Sequence, residues 1–167
     1  MAKSNVVDKN ANFNKIIQEL EKVAGSYVKV GFLSNQITHA QVQIDSNTGN
    51  QRIKKAGLSI AEIARANEYG TKTIPARSFM RSTYDENLPR LNRIIGKEYD
   101  KILAGKSTVK RSLDAVGLYM QGLIQQKIRA IRSPPNAPST IKRKGSSKPL
   151  IDFGQMISAV THEVVIV

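Results

Sequence analysis

Apolar residues recur at helical spacing from Phe13 through Ile16, Ile17, Leu20 and Val23, and Gly25 stops the run. The spacing predicts a helix over about residues 12–24. Val28, Val30 and Phe32 then alternate with Lys29 and Gly31, the period of a half-buried strand. Alternation returns at Ala40, Val42 and Ile44, followed by a cluster of turn formers at 45–50 and then Gln51-Arg52-Ile53-Lys54-Lys55. This reads as a protruding β-hairpin over 35–57, with an unstructured loop as the alternative.

Ser59 and Glu62 stand at the spacing of a capping box, where each side chain satisfies a backbone donor left open at a helix start. Ile60, Ile63 and Ala64 form the inward side of that helix, and Gly70 ends it. Pro75 forces Ile74 out of the helical region. A further helix is expected over about 78–104, with Phe79, Leu88, Leu91, Ile94, Ile95, Tyr99 and Ile102 inward. Pro89 should break or kink it unless it lies in the first turn of a restarted helix.

The clearest periodicity follows Ser107. Val109, Leu113, Val116, Met120, Leu123, Ile124, Ile128 and Ile131 step by three and four residues, giving an amphipathic helix of roughly 25 residues. Gly117 and Gly122 weaken it and suggest a close approach of another backbone. The run Ser133-Pro134-Pro135-Asn136-Ala137-Pro138 terminates it. Beyond lie a helical turn, a basic Gly-Ser loop, a helix near 152–159 and a strand-prone tail at 161–167. The fold class is α+β: a small antiparallel sheet packed with a long amphipathic helix and shorter helices, with an extended hairpin. Residues 1–11 read as a flexible arm and 12–167 as a single domain, including a basic loop at 133–150.

Composition adds limits. Among 167 residues there is no cysteine and no tryptophan, so disulfides and thiolate metal sites are excluded and the core rests on Ile, Val and Leu. With 40% apolar residues and 5% aromatics, part of the chain is expected to be extended or to become buried only against a partner. No segment approaches the roughly 20 apolar residues of a membrane span, so no membrane partner is expected. The net charge of +13 attracts polyanions or acidic protein surfaces. It is uneven: no acid occurs between Asp114 and Asp152, where Lys127, Arg129, Arg132, Lys142, Arg143, Lys144 and Lys148 all fall. The basic loop admits three readings: docking to an acidic face of a neighbouring subunit, contact with DNA, or plain solvation.

Catalysis finds no constellation. His39 and His162 have no acid or second ligand at metal spacing beside them. The acidic pairs Asp85 with Glu86 and Glu98 with Asp100 lie among Arg90, Arg93, Lys97 and Lys101, which predicts solvated ion pairs. No serine sits in a nucleophile elbow, and Lys144-Gly145-Ser146-Ser147-Lys148 lacks the frame of a phosphate loop. No catalytic, cofactor-binding or metal residue is expected. Arg77 stands out because Pro75 stiffens the turn that presents it. It either pins that turn within the chain or meets a neighbouring subunit.

Three segments, in order, resemble one family. They are Gly31-Phe32-Leu33; Ile63-Ala64 through Asn67-Glu68-Tyr69-Gly70-Thr71 with Ile74-Pro75-Ala76-Arg77-Ser78-Phe79; and 138–156, containing Lys142-Arg143-Lys144-Gly145-Ser146-Ser147-Lys148-Pro149-Leu150-Ile151-Asp152-Phe153-Gly154. The combination resembles the tail-completion, neck and virion-morphogenesis proteins of tailed bacteriophages. Ser78 and Phe153 stand where that pattern often has Pro and Thr, and the 35–57 insertion is longer. The resemblance implies a structural subunit without cofactors that assembles into a ring, a hexamer by expectation, at the head–tail junction through which DNA passes. The implied location is the virion neck or head-proximal tail, reached from the host cytoplasm. The implied partners are neighbouring neck, connector or tail-tube proteins, with non-specific contact to genomic DNA. Expected contact residues are Arg77, Arg52, Lys54, Lys55, Lys142, Arg143, Lys144 and Lys148. A basic DNA-binding accessory protein is the alternative function; a small nuclease or toxin ranks third because no acid–base set is visible.

Overall fold

A computed structural model describes residues 9–33, 42–44, 51–53, 58–151 and 154–167. In chain order the elements are α1 (Lys9–Val23), β1 (Tyr27–Gly31), β2 (Val42–Ile44), β3 (Gln51–Ile53), α2 (Ile60–Tyr69), α3 (Met80–Leu103), α4 (Val109–Ala130), α5 (Pro138–Lys144), α6 (Gln155–Ala159) and β4 (Thr161–Val165). Mixed helix and sheet, with two long helices, is the α+β class expected from the periodicity. β2 and β3 pair antiparallel with Val42 opposite Ile53 and Ile44 opposite Gln51, so the expected hairpin pairing forms. Its tip at 45–50, the flanking residues 34–41 and 54–57, and residues 1–8 of the expected arm lie outside the described residues.

β1 pairs with β4 in a separate two-stranded sheet. The Val167 N–H donates to Ser26 Oγ at 3.2 Å, and Lys29 Nζ faces Glu163 at 3.8 Å, so the two strands run in opposite senses. The C-terminal tail therefore joins the sheet as its strand propensity predicts.

The chain divides into two compact units. One is formed by residues 30–86 and 121–161. Its core gathers Ile60 and Ala64 of α2, Phe79 just before α3, Ile124 and Ile128 of α4, Leu150, and Met156, Ala159 and Val160 around α6. Phe79 and Ile128 are fully buried, and Phe32 meets Phe79 edge-on with ring centroids 6.1 Å apart. The other unit is formed by residues up to 29, 87–120 and 162–167. There Leu91 and Ile102 of α3 and Val109, Val116 and Met120 of α4 are buried. Gly117 explains its place in α4: a Cβ there would lie 2.6 Å from His162 Cδ2 and 2.7 Å from Val28 Cγ2. The close neighbours are side chains of β4 and β1, not the backbone that the glycine suggested. Gly122 has no such neighbour within 4 Å.

Each long helix starts under a carboxylate supplied by another helix. Glu19 of α1 accepts the N–H of Val109, the first residue of α4, at 2.7 Å. Glu68 of α2 does the same work for α3, as described below. Such remote caps satisfy donors that a helix start leaves open and place negative charge against the positive end of the helix dipole.

Two expectations change. Pro89 does not end α3, which runs unbroken past it. Proline removes the N–H that would bond the Asp85 carbonyl, and both residues are exposed, so water can take that acceptor. Of the residues expected inward on α3, Leu88, Ile95 and Tyr99 are exposed, and on α1 so are Phe13 and Ile17. Periodicity marks an apolar face but not whether the same chain covers it.

Candidate functional site

Ile60, Ala64 and Glu68 lie four residues apart on α2 and share its buried face. The helix start is fixed by the expected capping box: Glu62 N–H donates to Ser59 Oγ at 3.2 Å, and the Ser59 N–H donates to Glu62 Oε2 at 2.8 Å. Its far end is set by Gly70, at φ 78°, where a Cβ would stand 2.9 Å from the Ala76 nitrogen. Only glycine accepts both that conformation and that approach. Thr71 N–H then donates to the Ile74 carbonyl at 2.8 Å, closing the turn that leads to Arg77.

Glu68 is 3% exposed, and its carboxylate is saturated. It accepts the N–H groups of Phe79 at 2.7 Å, Met80 at 2.9 Å and Arg81 at 3.1 Å, together with Ser78 Oγ at 2.8 Å and Arg81 Nε at 3.1 Å. Burial pushes its pKa up, but the donors of Met80, Arg81, Ser78 and Phe79 outweigh burial and hold it below the ordinary carboxylate value. Arg81 also lays its guanidinium over the exposed Tyr69 ring, 4.7 Å from the centroid.

Arg77 is 4% exposed. Its backbone N–H donates to the Asn67 carbonyl at 2.6 Å. Its guanidinium donates to Pro134 O at 2.7 Å, Pro135 O at 2.9 Å, Asn136 Oδ1 at 3.3 Å and Asn67 Oδ1 at 3.1 Å. Asn67 is oriented for this by its own Nδ2, which donates to Ile63 O at 2.8 Å. None of these acceptors is a carboxylate, and burial draws the guanidinium pKa below its usual value. Asn67 and Glu68, adjacent in sequence, thus clamp different targets: the loop at 134–136 through Arg77, and the start of α3. Of the two readings of Arg77, the intrachain pin is the one with partners in the structure.

The basic segment is tied to the same clamp. Pro138 opens α5, and Gly145, at φ 68°, closes it by donating its N–H to Ile141 O at 2.8 Å. Asn136 Nδ2 donates to Lys148 O at 3.4 Å, and Lys144 Nζ donates to Lys148 O and Pro149 O, each at 3.3 Å. Lys142 and Lys148 are exposed, whereas Lys144 is half-buried by these bonds. The Arg143 and Arg52 side chains and all of Lys54, Lys55, His39, Asp152 and Phe153 lie outside the described residues. The structure therefore brings Arg77, Lys144 and Lys148 into one hydrogen-bonded region.

Sequence spacing missed two partners. His162 Nε2 lies 3.0 Å from Asp114 Oδ1, an acid distant in the chain. Glu86 pairs with Lys127 of α4 at 2.6 Å, not with a cation of its own helix, whereas Glu98 pairs with Lys101 as expected. Among the described residues no group of three His, Asp or Glu side chains could hold a metal ion, and no helix is long and apolar enough to cross a membrane. A groove of about 530 Å³ lies between α2 and the start of α3, floored by Phe32, Ala64 and Met80 and rimmed by Tyr69, Arg81 and Tyr84. Comparison with known proteins gives no match to a family model, a curated protein or a solved structure.

Proposed function

We propose that this chain is a structural virion protein of a tailed bacteriophage, a tail-completion or neck subunit that forms a ring at the head–tail junction. The observation that carries the reading is a stripe on α3. Leu88, Ile95, Tyr99 and Leu103 are 36%, 45%, 43% and 44% exposed along one side of the apolar face of α3, whose neighbouring side, carrying Leu91 and Ile102, is buried. Large apolar side chains left exposed at regular spacing mark a surface that another molecule covers. A second copy of the chain fits: a head-to-tail contact repeated between identical subunits gives a ring when its rotation closes.

The motif residues support the same reading by what they do. Asn67, Glu68, Gly70 and Arg77 are consumed by internal bonds that fix the start of α3 and the loop at 134–136. A signature spent on rigidity suits a scaffold whose contacts lie elsewhere. Neighbouring neck, connector or tail-tube proteins would meet the ring's two faces, with the β2–β3 hairpin as one reaching element.

The experiment is mass measurement and negative-stain imaging of the purified protein, with Ile95→Glu/Tyr99→Glu beside it. Closed rings for the parent, with six copies as the first expectation, and folded monomers for the variant are the expected results. A parent that stays monomeric at about 50 µM and does not enter particles sinks the proposal.

A further inference from the structure

The surface formed by the end of α4, the 131–137 loop and α5 differs from the rest of the molecule in one respect. Among the described residues, every exposed large hydrophobic side chain lies before residue 119 or after 165. The span between carries exposed Arg129, Arg132, Lys142 and Lys148 instead. No acid occurs anywhere between Asp114 and Asp152. Lys127 is paired with Glu86, and Lys144 is half-buried against the carbonyls of Lys148 and Pro149.

The clamp fixes the backbone on either side of α5. Arg77 fixes Pro134, Pro135 and Asn136, and Asn136 and Lys144 close the segment onto Lys148 and Pro149. Arg132 Nη1 is tethered to the carbonyls of Arg129 and Ile131 at the end of α4. The Arg77 charge, buried against carbonyl and amide oxygens, has no carboxylate among its hydrogen-bond partners. It therefore adds to the local positive potential while its side chain stays out of solvent.

We infer that this surface binds the phosphate backbone of double-stranded nucleic acid without reading its sequence. The chemistry separates this from the alternatives. Protein interfaces centre on large apolar or aromatic anchors, and among the described residues of this surface no large hydrophobic side chain is exposed, Ile131 and Ile141 being half-buried. Single-stranded nucleic acid is gripped by aromatic stacking platforms, and the described surface residues at 127–149 include no aromatic. Phosphate recognition asks only for cations and small donors, which Lys142, Lys148, Arg132 and the exposed hydroxyls of Ser139 and Ser147 provide. The inference is independent of ring assembly.

The test is fluorescence anisotropy of a labelled duplex of about 30 base pairs with the full-length protein, from about 50 to 300 mM KCl. Four phosphate contacts predict that log K falls against log salt with a slope of about −3 to −4. K142Q and K148Q should each flatten that slope by about one, and R129Q/R132Q/K142Q/K148Q should weaken binding at least about tenfold at low salt. Lys97→Gln/Lys101→Gln/Lys106→Gln/Lys110→Gln removes equal charge elsewhere and should change affinity by less than about threefold. Absence of duplex binding at about 50 mM salt overturns the inference. So does equal weakening by the two quadruple variants, tighter binding to a single strand of the same length, or binding to polyglutamate as tight as to duplex. Ring formation is scored separately by mass, so failure of either reading leaves the other standing.

Discussion

The Glu68 carboxylate accepts the backbone N–H of Phe79 at 2.7 Å, immediately ahead of the first residue of α3. With the N–H groups of Met80 and Arg81 it forms a buried anion site at the positive end of a helix dipole, made by the protein for its own side chain.

Replacing that charge tests its worth. Glu68→Gln keeps the size but sets an amide donor against N–H donors, and should cost about 2–4 kcal/mol in urea unfolding. The pKa of Glu68 is lowered in the folded state, so its contribution is present above the unfolded carboxylate value of about 4.3 and fades as pH falls through the lower folded value. The parent should therefore lose stability more steeply than Glu68→Gln below about pH 4.5. Parallel acid profiles would contradict this assignment.

Arg77 reaches three residues of the 134–136 loop with one planar fork. Lysine carries the charge but cannot present two parallel donors, so Arg77→Lys should lower stability by about 2–3 kcal/mol. Hydrogen exchange should quicken around 136–148 more than in α1. Unchanged exchange there would mean that the loop is held by something other than the guanidinium.

Two glycines of α4 should respond with opposite signs. In an open helical position Gly→Ala stabilises by about 0.5–1 kcal/mol, which is the expectation for exposed Gly122. At Gly117 the added methyl would meet His162 and Val28 below 3 Å, and a loss of about 1–3 kcal/mol is expected. Thermal unfolding of G117A and G122A checks both. A stabilised G117A would show that β1 and β4 yield easily.

What the sequence reveals depends on range. The Ser59 and Glu62 capping box was legible because both partners sit within one turn, where spacing dictates geometry. The apolar helix stripes, the Gly70 stop and the pairing of β2 with β3 were legible from similarly short-range patterns. Glu68 was not, because a carboxylate on an apolar helix face gives no hint of N–H groups 11 to 13 residues ahead. His162 with Asp114 and Glu86 with Lys127 are tertiary meetings that no local pattern encodes. Leu88, Ile95 and Tyr99 show the converse limit: their periodicity is real, but exposure depends on which elements pack there.

The two remote caps also differ in when they can close during synthesis. Glu68 meets its donors after 11 to 13 residues, so the start of α3 can be secured almost as soon as it emerges. Glu19 must wait for Val109, 90 positions later, and α4 stays uncapped until the emerging chain turns back to α1. A ribosome stalled between those points would hold a chain with one long helix anchored and the other not yet begun. Of the two long helices, the later one thus waits for a single glutamate of the first helix to secure its start.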